Sequence, residues 1–99
     1  MNSSTSSAAE QFGQKVRRTR IALGLSQESI AELAQMHVTN YGKIERGIAN
    51  PSLVTILRIA SVLGTDVSTL TEGLSRDDLP AEFEVLSATE FLRERARRS

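Results

Sequence analysis

The sequence predicts a small all-α protein in which five short helices form one compact domain and a C-terminal extension follows. Apolar residues recur at spacings of three and four from about residue 10 to residue 71, as they do on the buried faces of helices. Glycine, serine and proline residues of the kinds that end or cap helices separate these stretches. A chain of 99 residues with 39% apolar content suits a single small domain.

The first two helices are delimited by the residues that flank them. Helix 1 is predicted from about Glu10 to Leu23, because Gly24 provides a good helix stop. The Ser/Ala/Thr-rich residues 1–9 are predicted to be disordered. Ser26 is predicted to cap helix 2. The side chains predicted to share the inward faces are Phe12, Val16, Arg20 and Leu23 in helix 1, and Ile30, Leu33 and Ala34 in helix 2.

A tight turn and three further helices follow. Residues 35–37 are predicted to form the turn, and helix 3 covers residues 38–46 before a glycine. The Asn-Pro-Ser at 50–52 is loop and cap sequence, since proline fits only outside a helix or in its first turn. Helix 4 then spans residues 53–63 and helix 5 spans residues 67–71. Their predicted inward side chains are Leu53, Ile56, Leu57, Ala60, Leu63, Val67 and Leu70.

The C-terminal extension, residues 75–99, carries two less regular patterns. Residues 82–86 alternate polar and apolar side chains, as a short strand does. A single strand is marginal on its own, so this one would pair with a second copy or pack on the domain. Ser87 and Glu90 have the spacing of a capping box, which predicts an amphipathic helix over residues 88–98.

Charge is segregated along a chain whose formal net charge is zero. Residues 12–63 carry seven basic and three acidic side chains, whereas residues 64–92 carry one basic and seven acidic side chains. The last seven residues are again basic, with a net charge of +3. A basic body beside an acidic segment is suited to contact with phosphate on one face of the protein.

Composition argues against several classes of function. The chain has no cysteine and one histidine, and no His/carboxylate cluster has metal-ligand spacing, so we expect no metal, no cofactor and no enzymatic activity. No apolar run approaches the roughly 20 residues that cross a bilayer. The N-terminus lacks the basic start and apolar stretch of a signal peptide, so the chain is expected in the cytoplasm.

Five short motifs occur in order between residues 25 and 64. They are LSQ at the start of helix 2, ELA before the turn, KIERG closing helix 3, NPS before helix 4 and VLG closing helix 4. Together they resemble the lambda-repressor-like (Cro/CI, or XRE) helix-turn-helix family over about residues 12–73. The resemblance implies that helix 3 reads double-stranded DNA in the major groove while helix 2 braces it across the backbone.

The resemblance also implies roles for individual residues. Arg20 and Glu45 correspond to a buried or half-buried ion pair that orients the recognition helix. The side chains placed to read base edges are Val38, Thr39, Asn40 and Lys43. Those placed to contact phosphates are Ser26, Gln27, His37, Arg46, Asn50, Ser52 and Arg17. For Asn40 and Lys43, the alternative is phosphate contact or simple solvation. For Ser26 the alternative is a helix cap, and for Arg17 it is a solvated helix face.

Four positions depart from the usual pattern of that family. Gln35 occupies a turn position that is normally glycine, which predicts a strained or rearranged turn. His37 replaces a Ser/Thr cap, and Tyr41 takes a normally aliphatic inward position. Gly42 lies inside helix 3, where it costs about 1 kcal/mol relative to alanine. It either permits a close approach or loosens the helix.

Two functions fit these patterns. The first is a homodimeric transcriptional regulator that binds an inverted-repeat operator, because one motif reads only a few base pairs. The second is a protein-interaction module, antitoxin-like or an adaptor, that binds its partner through the C-terminal extension. Residues that either form the dimer interface or fold back on their own domain are Leu70, Leu74, Phe83, Val85, Phe91 and Leu92.

Overall fold

The computed structural model describes residues 6–98 and confirms the all-α prediction. No helix within those residues is long and apolar enough to cross a membrane. A short 3₁₀ turn, Arg76–Asp78, lies between the last two helices. The helices are α1 (Ser7–Leu23), α2 (Gln27–Leu33), α3 (Val38–Glu45), α4 (Leu53–Leu63), α5 (Val67–Leu70) and α6 (Ala88–Arg98).

Local capping chemistry sets the boundaries of α2 and α4. The Ser26 hydroxyl accepts a hydrogen bond from the Ser29 amide, and the Ser52 hydroxyl accepts one from the Thr55 amide, each at 3.1 Å. These bonds satisfy amides that have no partner inside the helix. Helix α4 ends at Gly64, whose left-handed conformation stops the helix as the sequence predicted.

Helix α1 begins earlier than the sequence predicted. Ser6 caps it by accepting a hydrogen bond from the Ala9 amide at 3.1 Å, so residues 7–9 are helical. The prediction of disorder is therefore wrong for residues 6–9. Residues 1–5, the rest of that predicted tail, lie outside the described residues.

The core lies where α1 to α5 meet, and Ile59 joins it although the sequence analysis did not select it. Several predicted inward residues are exposed instead: Leu23, Leu33, Leu53 and Leu57, with Leu53 67% exposed. Leu70 has no exposed surface. The core residues are Phe12, Val16, Ile30, Ala31, Ala34, Tyr41, Ile44, Ile59, Ala60, Leu63 and Leu70.

Gly13 brings α1 into direct contact with the main chain of α3. A Cβ atom at Gly13 would lie 2.3 Å from the carbonyl oxygen of Ile44 and 2.7 Å from that of Glu45. Gly47 allows a second close approach, since its Cβ would lie 2.7 Å from the Cα of Glu10, and its φ is +76°. Backbone therefore packs on backbone at the C-terminal end of α3, which sets the position of that helix relative to α1.

The C-terminal extension is attached to the start of α1. Asp78 accepts hydrogen bonds from the Ser7 hydroxyl at 2.8 Å and from the Gln11 amide at 2.6 Å. The bond from Ser7 and a bond from the Ser75 amide are the main causes that lower the pKa of Asp78, and the Gln11 bond adds to them. The predicted strand at 82–86 is wrong, because these residues form a turn and irregular chain. No partner strand lies beside them in the described chain to supply the missing hydrogen bonds.

Helix α6 matches its predicted bounds and has the predicted capping box. The Glu90 amide donates to the Ser87 hydroxyl at 3.1 Å, and the Ser87 amide donates to the Glu90 carboxylate at 2.9 Å. Arg76 also pairs with Glu90 at 2.6 Å. The Arg76 contact and the Ser87 bonds lower the pKa of Glu90 to about 2. The helix therefore begins at a defined point, although Phe91 and Leu92 on it are exposed.

Candidate nucleic-acid interface

Helices α2 and α3 and the turn between them form the predicted helix-turn-helix. The Met36 amide donates to the Ala31 carbonyl at 2.9 Å and the Gln35 amide to the Glu32 carbonyl at 3.1 Å, which closes the end of α2. Gln35 adopts a φ of +58°, the left-handed conformation that glycine accepts without steric cost. Gln35 therefore adopts a conformation suited to glycine at the steric cost that its Cβ atom brings, as the predicted strain requires.

One side of α3 is buried and the other is exposed, as a period of about 3.6 residues requires. Tyr41, Ile44 and Glu45 face the core. The exposed side presents three polar side chains, none of which makes a hydrogen bond within residues 6–98: Thr39, Asn40 and Lys43. Arg46, just past the end of the helix, lies on the edge nearer α2. Val38, in the first turn of the helix, is 40% exposed.

A three-helix network beneath this surface contains the predicted ion pair. The Arg20 guanidinium donates to both carboxylate oxygens of Glu45, at 2.6 Å and 3.0 Å, and to the Leu25 carbonyl at 2.9 Å. The Gln27 amide also donates to Glu45, at 2.9 Å. Gln27, which the sequence placed on a phosphate, thus has an internal hydrogen bond that sequence reasoning missed. The network connects α1, α2 and α3.

The electrostatics of this network favour the ionised pair. The Glu45 side chain is 1% exposed and that of Arg20 is 13% exposed. Burial alone would raise the pKa of Glu45, but the hydrogen bonds it receives and the charge of Arg20 outweigh burial and lower that pKa. Burial, together with the Glu45 carboxylate, raises the pKa of Tyr41. The buried Tyr41 hydroxyl has no hydrogen-bond partner within residues 6–98.

Gly42 shapes the edge of α3 that faces α2. A Cβ atom there would lie 3.2 Å from Nη1 of Arg46 and 3.7 Å from Oε1 of Gln27. The guanidinium of Arg46 and the amide of Gln27 therefore converge over Gly42, because glycine leaves room for them. The Arg46 guanidinium suits an anion such as a backbone phosphate, whereas the Gln27 atom nearest Gly42 is an oxygen, which accepts hydrogen bonds.

A groove of about 260 Å³ lies along the other edge, between α3 and α4. Two cationic side chains face it, Lys43 from α3 and Arg58 from α4. Sequence reasoning missed Arg58, because nothing local indicates that α4 turns this residue toward α3. The residues that line the groove are Met36, Asn40, Lys43, Ile44, Ala49, Asn50, Pro51, Thr55 and Arg58.

The remaining residues predicted to contact DNA lie outside the Arg20–Glu45 network and outside the groove. His37 precedes α3 as its N-cap but makes no capping hydrogen bond through its side chain. Ser26 and Ser52 act as caps, which leaves their hydroxyl groups partly engaged. Arg17 is exposed on α1, and no hydrogen bond ties it to α3 within the described chain. No group of three or more potential metal ligands occurs among residues 6–98.

Comparison with known proteins agrees with this geometry. A family model described as helix-turn-helix (HTH_3) matches residues 16–70. The SPbeta prophage-derived uncharacterized HTH-type transcriptional regulator YonR of Bacillus subtilis (strain 168) is 32% identical over 62 residues. That match covers 63% of this chain and 57% of YonR, so the chain spans just over half the length of that relative.

A control protein and a restriction-modification controller protein are also similar. Control protein C.SmaI of Serratia marcescens is 37% identical over 73 residues, which cover 74% of this chain and 83% of C.SmaI. The crystal structure of the restriction-modification controller protein C.AhdI from Aeromonas hydrophila superposes with a TM-score of 0.61 at 42% identity. It covers 63% of this chain and 94% of C.AhdI. The chain belongs to the helix-turn-helix family HTH_3, as its five sequence motifs predicted.

Proposed function

We propose that this protein is a transcriptional regulator that binds double-stranded DNA sequence-specifically, with α3 in the major groove. The observation that carries the proposal is the exposed side of α3, where Thr39, Asn40 and Lys43 make no hydrogen bonds within the described chain. No acidic side chain lies on that side of the helix. Exposed polar side chains without internal hydrogen bonds are suited to the donors and acceptors of base edges.

The two edges of α3 support the same function. Arg46 and Gln27 converge on one edge, and Lys43 faces the groove on the other. A helix in the major groove has a phosphate backbone on each side, so positive charge along both edges favours binding. The relatives named as transcriptional regulators and control proteins support the proposal as well.

We assign base contacts to Val38, Thr39, Asn40 and Lys43, and phosphate contacts to the residues around them. Arg46 has the strongest case among the phosphate contacts, because its guanidinium lies over Gly42 beside Gln27. Asn50 lines the groove, and His37, Ser26 and Ser52 stand at helix starts. Gln27 donates to Glu45 and places its amide oxygen, a hydrogen-bond acceptor, beside Gly42, so we assign it a structural role at this edge.

Base reading and phosphate contact predict different effects of mutation. Thr39→Ala and Lys43→Ala are expected to relax the preference at particular base pairs, each with a loss of about 1–3 kcal/mol per good contact. Arg46→Ala is expected to weaken binding to operator and random duplexes by the same factor. Competition binding against single-base operator variants measures both effects. Equal losses on operator and random DNA for all three variants would contradict the assignment.

We further propose that the protein acts as a homodimer on an inverted repeat. One helix-turn-helix reads few base pairs, so a second copy one helical turn away supplies the missing affinity and specificity. The interface we infer uses Leu74 and the apolar residues of the extension, without Leu70, which is buried in the core and has no surface to offer. These residues are Leu74, Phe83, Val85, Phe91 and Leu92.

A selection from a random duplex pool at near-physiological salt tests the function. The expected result is enrichment of an inverted repeat whose half-sites lie about one helical turn, or 10–10.5 base pairs, apart. Enrichment of isolated half-sites would contradict the homodimer. If the folded protein enriches no sequence, the second candidate function is favoured, which is protein docking through the exposed Phe91 and Leu92 of α6.

A further inference from the structure

Arg58 lies on α4 and faces the outward side of α3 across the groove between α3 and α4. Its side chain is exposed, and its Nη2 lies 3.4 Å from the Thr55 hydroxyl one turn earlier. A helical side chain leans toward the N-terminus of its helix. The guanidinium is therefore directed along the groove toward Ser52 and the loop that joins α3 to α4.

The chemistry of the groove suits an anion. Lys43 and Arg58 supply positive charge from opposite walls, and Asn40 and Asn50 supply amide donors. No carboxylate lines the groove, so neither cation is neutralised there. Neither cation forms a salt bridge elsewhere within residues 6–98. The guanidinium of arginine matches two phosphate oxygens at once, which an ammonium group does not.

We propose that Arg58 binds a phosphate of the DNA backbone on the side of α3 that faces α4. The inference rests on the proposed function, in which α3 occupies the major groove. Arg46 then contacts the backbone along one edge of α3, and Arg58 contacts it along the other. The protein thereby contacts the DNA backbone on both sides of the major groove, and α4 takes part in binding as well as in the core.

Arg58→Ala is tested in the full chain, with binding measured as a function of salt on the selected operator and on a scrambled duplex of equal length. The expected result is about tenfold weaker binding to both duplexes, as for loss of a hydrogen bond to a charged group. The plot of log K against log salt is expected to be flatter by about 0.9 for each Arg58 engaged. Thermal unfolding is expected to be unchanged, because the side chain is exposed.

Arg18→Ala is the matched control, since Arg18 is an exposed arginine on α1 whose hydrogen bond is to the Gln14 carbonyl of its own helix. It is expected to leave both affinity and salt slope unchanged. The inference is overturned if Arg58→Ala binds with the wild-type slope, or if Arg18→Ala reduces the slope equally. Loss on the operator alone would overturn it too, because it would indicate base reading. If the wild-type protein binds no duplex, the proposed function itself fails.

Discussion

Replacing Gly13 with alanine is expected to destabilise the protein, although alanine is the better helix former. Helix propensity alone would stabilise the variant by about 1 kcal/mol. The added Cβ, however, would lie 2.3 Å and 2.7 Å from two carbonyl oxygens of α3. Main chain cannot rotate out of the way as a side chain can, so α1 and α3 must separate, at a net cost of about 1–3 kcal/mol or more.

Urea and thermal unfolding, followed by circular dichroism, measure this loss. The melting temperature is expected to fall by about 4–8 °C for each kcal/mol lost. Gln14→Ala is the matched control, because it adds an alanine at the neighbouring exposed position of the same helix. It is expected to be neutral or slightly stabilising. A Gly13→Ala protein that is more stable than the wild type would contradict the close contact between α1 and α3.

Replacing Arg20 with methionine is expected to have an even larger effect at neutral pH. The variant keeps an apolar stem, but it leaves the Glu45 carboxylate, 1% exposed, without its counter-ion. Loss of one partner from a buried pair costs about 3–5 kcal/mol, because the remaining charge is desolvated and unpaired. Arg98→Met, which breaks the exposed pair with Glu94, is the control and is expected to cost less than about 0.5 kcal/mol.

The effect of Arg20→Met on stability is expected to depend on pH, because the pair contains the ionisable carboxylate of Glu45. The folded protein lowers the pKa of Glu45 below its ordinary 4.5, so the pair stabilises the protein above that pH and loses its contribution as the pH falls through the folded value. In Arg20→Met, burial dominates and raises the pKa of Glu45. Protonation of Glu45 at lower pH then removes the unpaired charge and reduces the loss of stability. The difference in unfolding free energy is therefore expected to be largest near pH 7 and to shrink toward pH 4.

A double variant distinguishes the effect of the unpaired charge on stability from the effect of altered side-chain packing. Arg20→Met combined with Glu45→Met replaces the pair by apolar side chains, which is often neutral for stability. The double variant is therefore expected to be more stable at pH 7 than Arg20→Met alone. A double variant that unfolds as readily as the single one would show that the packing around the pair, and not its charge, is essential.

The sequence predicts those parts of the fold that depend on neighbouring residues. The hydroxyl of Ser26 and the conformation of Gly64 act within one turn of helix, so both boundaries could be placed from the sequence. The ion pair of Arg20 and Glu45 was placed by the resemblance to a known family, since 25 residues separate its partners. The predicted outward residues Thr39 and Lys43 are exposed, as the periodicity of α3 requires.

The errors concern contacts between distant segments. Helix α4 is apolar over most of its surface, so its periodicity alone does not decide which side turns inward; Leu53 and Leu57 are exposed and Ile59 is buried. The alternation at 82–86 predicted a strand, but the described chain brings no partner beside it. The positions of Gly13 and Arg58 depend on how helices cross, which no local pattern encodes.

The residues that fix α3 in place differ from those that α3 exposes, and this difference has an evolutionary consequence. The helix is held from behind by the backbone contact at Gly13 and by the bonds to Glu45, whereas Thr39, Asn40 and Lys43 contribute no hydrogen bond within the described chain. Under the proposed function, substitutions at these three positions would change operator choice with little penalty in folding. Duplicated copies of the gene would then diverge to bind different operators through few substitutions, with the fold unchanged.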